Sequence, residues 1–512
     1  MTRRYYVTTP IYYVNGAPHI GHAYTSVAAD VIARFKRLAG FDVFFLTGTD
    51  EHGQKVEQAA QAAGMTPIAF ADRVAADFRD MYDKMAISYD DFIRTTEPRH
   101  ADGAQALWKK LEENGHIYLG AYEGWYATRD ECFYGEEELI DGPDGKKVAP
   151  TGAAVEWVKE PSYFFNLSKF GDRLLELYET RPGFIEPASR RNEVASFVKQ
   201  GLRDLSISRT SFNWGIPVPG DPKHVMYVWV DALANYLSAV GYPDQTAPRW
   251  DFWPANLHLV GKDILRFHAI YWPALLMGAG LDLPDRVFSH GWWTIEGQKM
   301  SKSLGNVVDP RDLVAEFGLD PIRFFLMREM PFGGDSDLSR RAIISRMNVE
   351  LANDLGNLAQ RTLSQIARNC DGKLPAQGTH TPEDTKLLAA ASLLPQIMHE
   401  QIDRQALTDA LEEVWKVIRA CNAYIDHQAP WKLKKTDAAR MGDVLRVLAD
   451  ALRIIATVLQ PYMPGSMDKM LTQLGVPDDA RDFASLDAPL PAGCALPAPQ
   501  GIFPRHVEPE AS

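Results

Sequence analysis

Residues 41–47, Phe-Asp-Val-Phe-Phe-Leu-Thr, are a near-continuous apolar run. A strand of that kind needs cover on both faces, which a parallel sheet flanked by helices supplies. The residues before it read as the crossover that joins parallel strands. Tyr5-Tyr6-Val7-Thr8-Thr9 is aromatic and β-branched, as strands prefer, and is interrupted by Pro10 and the Asn15-Gly16-Ala17-Pro18 turn. The spacing then predicts a helix from near Gly21-His22: Val27, Val31, Phe35 and Leu38 share one face, Arg34, Lys36 and Arg37 take the outer one, and Gly40 ends it. The apolar strand carries Gly48-Thr49-Asp50-Glu51-His52-Gly53 at its carboxyl end. Ligands of open α/β sheets bind just outside such ends, so both loops address one crevice.

Two short motifs belong to that frame. His19-Ile20-Gly21-His22 opens the expected helix, and Lys299-Met300-Ser301-Lys302-Ser303 lies beyond the middle of the chain. Either string alone is short enough to arise by chance, but in this order, with a nucleotide-domain pattern around the first, they suggest two basic clamps that close on the phosphates of ATP. Unpaired N–H groups and the positive end of the helix dipole favour anions where His19 and His22 lie, and Gly21 lets a nucleotide approach the backbone. Imidazoles there act as oriented donors, stronger in the transition state than in the ground state. Lys299 and Lys302 stand among small polar residues ending at Gly305-Asn306, a segment suited to close on a polyphosphate and open to release pyrophosphate. Lys302 is the expected principal contact.

From about Tyr118 to Gly220, turns break the alternation of strand and helix, with residues 141–147 reading as a hairpin tip, and the segment is expected to be an insertion. The α/β pattern resumes with two expected strands that end in polar residues, Tyr227-Val228-Trp229-Val230-Asp231 and Leu257-His258-Leu259-Val260-Gly261-Lys262-Asp263. Beyond about Ile343 the pattern is helical, with Leu407, Leu411, Val414, Ile418, Cys421 and Ile425 on one face. The expected architecture is a doubly wound parallel-sheet, Rossmann-type α/β catalytic domain in two halves, 1–117 and 221–285, interrupted by an inserted domain, 118–220. A linker with the lysine loop, 286–342, and an all-α domain, 343–512, follow.

Composition narrows the class. A net charge of −13 argues against general nucleic-acid coating and against a DNA partner, while leaving room for one RNA held by a local patch. No apolar stretch approaches the ~20 residues of a membrane span, and Met1-Thr2-Arg3-Arg4 leads into no cleavable apolar segment, so a cytoplasmic protein without a membrane partner is expected. Cys132, Cys370, Cys421 and Cys494 lie far apart and form neither a disulfide framework nor a Cys-x-x-Cys metal knuckle.

The segments Tyr13-x-Asn15-Gly16-x-x-His19-Ile20-Gly21-His22, Thr49-Asp50-Glu51-His52-Gly53, Trp229-Val230-Asp231-Ala232, Gly261-Lys262-Asp263-Ile264, Lys299 to Ser303 and Gln428-Ala429-Pro430-Trp431 span nearly the whole chain. In this order they resemble methionyl-tRNA synthetase, a class I family. The resemblance implies a ligase that forms methionyl-adenylate from methionine and ATP, with Mg²⁺ as counter-ion, releases pyrophosphate and passes methionine to tRNA(Met). It implies catalytic roles for His19, His22, Lys299 and Lys302, and ATP contacts from His19, Gly21, His22, Gly261, Asp263, Ile264 and Lys302. It places Ile11, Tyr13, Trp229, Ala232, Leu233, Tyr236, Ile264, His268 and Trp272 around the methionine side chain and Asp50 at its ammonium. A thioether is a poor acceptor, so recognition rests on shape and polarizable walls, with His268 and Tyr13 expected to offer weak donors to sulphur.

In the helical domain the resemblance implies that Asn357, Arg361 and Trp431 read the CAU anticodon. Asn357 and Arg361 are four apart and share a helix face, and Pro430 ends the preceding helix so that Trp431 is displayed. Single-stranded bases stack on such rings. Many family members carry paired-cysteine zinc knuckles, whereas Cys132 stands alone, so no structural zinc is expected. Members that dimerise often use an appended C-terminal domain, and this chain stops at Ser512, so a monomer is expected. Two other readings stay open: a class I synthetase for another aliphatic amino acid, against which the short 118–220 segment counts, and a non-catalytic RNA-binding relative, against which His19, His22 and Lys302 count.

Overall fold

The computed structural model describes residues 3–507 apart from 131, 143–144 and 300–305. Seven parallel strands form the central sheet, in the order Ile185–Glu186, Val287–His290, Leu257–Gly261, Arg4–Thr8, Asp42–Asp50; Tyr12–Tyr13 and Asp91–Arg94 also pair with the last of these. Side chains of a strand alternate between faces, and here they alternate between two cores. Val7, Val43 and Phe45 join one, while Tyr6, Phe44 and Leu46 join the other. The apolar run 41–47 is therefore covered on both faces, as expected.

Helix Ile20–Leu38 lies on one face and contacts strands Arg4–Thr8, Asp42–Asp50 and Leu257–Gly261. It stops where Gly40 takes a φ of +78°, a conformation glycine adopts without a Cβ penalty. Helices Pro98–Glu113 and Trp272–Ala279 cover the other face.

Two sequence expectations need correction. Tyr227 to Asp231 is not a strand: Val228–Leu233 is a short helix whose first turn closes when the N–H groups of Val230 and Asp231 donate to the Tyr227 carbonyl at 2.9 and 3.1 Å. A short apolar run bounded by turns fits a buried helix as well as a buried strand, and periodicity cannot separate them. Nor does the span 118–220 stay apart from the parent sheet. It carries an antiparallel sheet in which Ile117–Ala127 pairs with Glu156–Phe165, flanked by Cys132–Tyr134 and Leu205–Ser206. Between these, Ile185–Glu186 returns to the parallel sheet as its edge strand, beside Val287–Phe288. Two residues are too few to leave a hydrophobic period.

The helical region is continuous with the first core. Leu407, Leu411, Val414, Ile418, Cys421 and Ile425 are all fully buried on helix Leu407–Gln428, and that core runs without a break into the sheet through Phe324, Ile322 and Val27. Arg323 sits at the junction. Fully buried, it donates to Asp30 of helix Ile20–Leu38 at 2.6 Å, to the Met85 carbonyl at 2.9 Å, and to the carbonyls of Pro461 and Tyr462 at 2.8 and 3.1 Å. No helix among the described residues is long and apolar enough to cross a membrane.

Candidate active site

A cavity of about 560 Å³ opens at the carboxyl ends of the strands. Its phosphate-side wall begins at the N-terminus of helix Ile20–Leu38. His19 caps that helix, its Nδ1 accepting from the Gly21 N–H at 3.1 Å, while His22 Nδ1 accepts from the His19 N–H at 3.2 Å. The two rings stack at 3.7 Å. Because each Nδ1 accepts from a backbone N–H, each neutral imidazole must carry its proton on Nε2. The backbone thus fixes both tautomers. Gly21 has a steric reason beyond ligand approach, since a Cβ there would lie 3.1 Å from the His19 ring.

Gly261 and Asp263 line the same cavity at the end of strand Leu257–Gly261. A Cβ on Gly261 would stand 2.5 Å from an Asp263 carboxylate oxygen, so glycine lets that carboxylate fold back over the strand end. Beside them Trp292 receives Lys262 over its ring at 4.1 Å, and Asp335 accepts from Lys262 at 2.7 Å and from the Trp292 N–H at 2.9 Å. The backbone of Lys299 pairs with Thr294, which lines the cavity, on a hairpin held by Asp337 through the Gly297 N–H at 2.8 Å. Lys302, with Met300, Ser301 and Ser303, lies outside the described residues, as does the side chain of Lys299.

The other end of the cavity collects the residues expected around methionine. Ile11, Tyr13, Asp50, Trp229, Ala232, Leu233, Tyr236, Ile264 and His268 all line it. Trp272 does not. Fully buried, it lies behind the wall, where its Nε1–H donates to His258 Nε2 at 3.2 Å. A tryptophan in an apolar segment is usually core, and here packing wins. A π-helical turn at Phe267–Tyr271 carries His268 and sets Phe267 flat against Trp229, with ring centres 3.7 Å apart.

The weak donors expected for sulphur are already engaged. His268 Nδ1–H donates to the Ile264 carbonyl at 3.0 Å, so Nε2 must accept, and it takes the Tyr236 hydroxyl proton at 2.7 Å. The Tyr13 hydroxyl donates to the His52 carbonyl at 2.9 Å. Burial pushes His268, on the wall, down to about 4 and His258, behind it, well below the ordinary histidine value, so beside the Asp50 carboxylate the wall offers a neutral imidazole and apolar side chains.

Behind that wall lies a group of which the sequence placed two members, Asp231 and His52, within two of its motif segments without giving them a role. Asp231, fully buried, accepts from His52 Nδ1 at 2.7 Å and from His100 Nε2 at 2.7 Å. Burial alone would raise its carboxyl, but His52 and His100 hold it down to about 2. The sequence also missed a rim from the inserted sheet. Arg129, Asp130, Cys132, Tyr134 and Thr151 line the cavity, and Lys55 donates to the Arg129 carbonyl at 3.2 Å. Lys55, three residues past His52, could have been found by position; the rim depends on a long-range docking that leaves no local signal. Burial pushes the Cys132 thiol up to about 12. Among the described residues, no group of three or more His, Cys, Asp or Glu is placed to hold a metal ion.

In the helical region, Asn357 is exposed at the start of helix Asn357–Asn369, and Arg361 stands one turn on. The Arg361 guanidinium lies 5.3 Å from the centre of the Trp431 ring and pairs with Asp426 at 2.5 Å. Trp431 is 40% exposed, the second residue of helix Pro430–Thr436. The three residues expected to act together therefore share one surface.

A family model described as "tRNA synthetases class I (M)" matches residues 5–363, and one described as "Anticodon binding domain of methionyl tRNA ligase" matches residues 374–511. The methionine–tRNA ligase of Brucella suis biovar 1 is 56% identical over 506 residues, covering 99% of this chain and 98% of its own. That of Rickettsia felis is 56% identical over 510 residues, covering 99% of each. The solved structure of Mycobacterium tuberculosis methionyl-tRNA synthetase in complex with methionyl-adenylate matches with a TM-score of 0.97 at 50% identity, covering 98% of this chain and 100% of that one.

Proposed function

The chain belongs to the class I methionyl-tRNA synthetase family, and from that premise we propose how its residues divide the work. The activity is that of a methionine–tRNA ligase: the methionine carboxylate attacks the α-phosphorus of ATP, pyrophosphate leaves, and the methionyl group passes from the adenylate to the 3′ end of tRNA(Met). Asp50 takes the ammonium at the floor of the amino-acid end. Ile11, Tyr13, Trp229, Ala232, Leu233, Tyr236, Ile264 and His268 enclose the side chain by shape, with the His268 and Tyr13 donors turned to protein carbonyls. The slim thioether enters a neutral, largely apolar slot that offers no strong hydrogen bond to a hydroxylated analogue.

The observation that carries the catalytic reading is the pair of tautomers at the helix start. With Nδ1 of His19 and of His22 accepting from backbone N–H groups, the Nε2–H donors are set in advance for charge developing on phosphate oxygens, and no ring must reorient as the reaction proceeds. Gly261, Asp263 and Ile264 receive the adenosine. Lys299 and Lys302 close on the departing pyrophosphate, and Mg²⁺ accompanies ATP as counter-ion of its phosphates. Asn357, Arg361 and Trp431 read the anticodon, and the protein works in the cytoplasm as a monomer, which light scattering checks.

ATP–pyrophosphate exchange with a panel of amino acids tests the whole reading. Methionine alone should support exchange. His22→Ala should lower the exchange rate constant by about 10²–10³-fold, the usual loss for one oriented donor, while the KM for ATP moves little; an equal change in both would contradict a transition-state role.

A further inference from the structure

Asp231 is the point where two parts of the amino-acid cavity's lining are tied together. Its helix, Val228–Leu233, supplies one wall through Trp229, Ala232 and Leu233. Another part of the lining comes from the end of strand Asp42–Asp50 and from Tyr13, and both lead to His52: Asp50 is two residues before it, and the Tyr13 hydroxyl donates to its carbonyl. His52 Nδ1 and the Asp231 carboxylate meet at 2.7 Å, so one hydrogen bond joins these two parts of the wall from behind. The second carboxylate oxygen meets His100 Nε2, also at 2.7 Å, on helix Pro98–Glu113, which packs against both Val228–Leu233 and the following turn Asn235–Ser238. All three side chains are more than nine-tenths buried, and both oxygens of Asp231 bind histidine. Asp231 itself does not line the cavity.

We propose that Asp231, with His52 and His100, is a positioning cluster that sets the width of the amino-acid slot and so its selectivity for an unbranched side chain of methionine's size. The proposal rests on the assignment of this end of the cavity to methionine. A slot enclosed by apolar walls discriminates by volume, and one methylene changes kcat/KM by about 10–200-fold when the walls are held in place. A carboxylate gripped from two directions holds its helix more firmly than packing alone, because moving the wall would leave a buried charge without its donors.

The test compares methionine with ethionine, one methylene longer, in pyrophosphate exchange. Asp231→Asn should raise the KM for methionine and lower the methionine-to-ethionine ratio of kcat/KM by about 5-fold or more, with the KM for ATP unchanged. Donor mimics give the second arm. His52→Asn keeps an N–H near the place of Nδ1 and His100→Gln keeps one near Nε2, so each should retain most of the ratio that His52→Ala or His100→Ala loses. Parallel loss of rate with both amino acids at an unchanged ratio, or failure of the mimics to differ from alanine, would overturn the proposal. Trp229→Ala separates the underlying assignment: if it leaves the KM for methionine unchanged, the pocket reading fails; if it raises that KM while Asp231→Asn leaves the ratio intact, only the positioning role fails.

Discussion

His268 donates from one ring nitrogen to a carbonyl and accepts at the other from a phenol, a pattern that only the neutral ring can complete. His258 does the same between the Trp272 N–H and the Thr8 hydroxyl, which it meets at 2.8 Å. Both are fully buried and both are pushed down, His268 to about 4. A histidine whose folded value is depressed binds its proton more readily when unfolded, so its contribution to stability is complete above the ordinary value near 6.5 and is lost as pH falls through the interval toward 4. Acidification across that window should therefore weaken the catalytic domain before the carboxylates titrate. His268→Gln, which can still bond both neighbours, should flatten the dependence of the denaturation midpoint on pH between 6.5 and 4; an unaltered slope would count against a neutral buried ring.

The elements that carry the site are mostly helix ends and strand ends. Helix Pro430–Thr436 follows Leu407–Gln428 after Ala429 takes a φ of +44°, and this break turns Trp431 outward beside Arg361. Replacing Trp431 by alanine should raise the KM for tRNA in aminoacylation by about 10–100-fold, in line with the ~1–3 kcal/mol of one base–aromatic stack. Methionine-dependent pyrophosphate exchange should stay intact, and loss of both activities would instead mark a folding role. Where an element had a long period or a distinct cap, the sequence displayed it: strand Asp42–Asp50 and the buried stripe of Leu407–Gln428 follow their patterns, and helix Ile20–Leu38 does so except at Lys36, expected on the outer face but buried and paired with Asp403. Where the deciding force was tertiary, it did not. Val228–Leu233 is helical although its apolar residues suit a strand, Trp272 turned inward to His258, and Asp231 found two histidines 131 and 179 residues away in the chain. The tautomers of His19 and His22 needed backbone positions that no motif records.

Over the whole molecule, Arg323 links catalytic helix, linker and helical domain through Asp30 and three carbonyls, with no exposed surface. Arg323→Met should cost about 1–3 kcal/mol for each buried acceptor it leaves unpaired, chiefly the carbonyls of Met85, Pro461 and Tyr462. Asp30 keeps Arg34, at 2.7 Å, as its remaining guanidinium. In urea, the variant should unfold its helical domain ahead of the catalytic sheet, seen as separate transitions in far-ultraviolet and tryptophan signals; coincident transitions at the wild-type midpoint would contradict the link. The order of the sheet has a consequence for how such a chain is made. Strand Arg4–Thr8 lies between Asp42–Asp50 and Leu257–Gly261, and Thr8 meets His258, 250 residues later. At about 5–20 residues per second, roughly 12–50 s of ribosomal elongation separate the first strand from its second neighbour. For that time the edge of the nascent sheet that will receive Leu257–Gly261 lacks its partner, and an unpaired strand edge is a template on which another chain can pair.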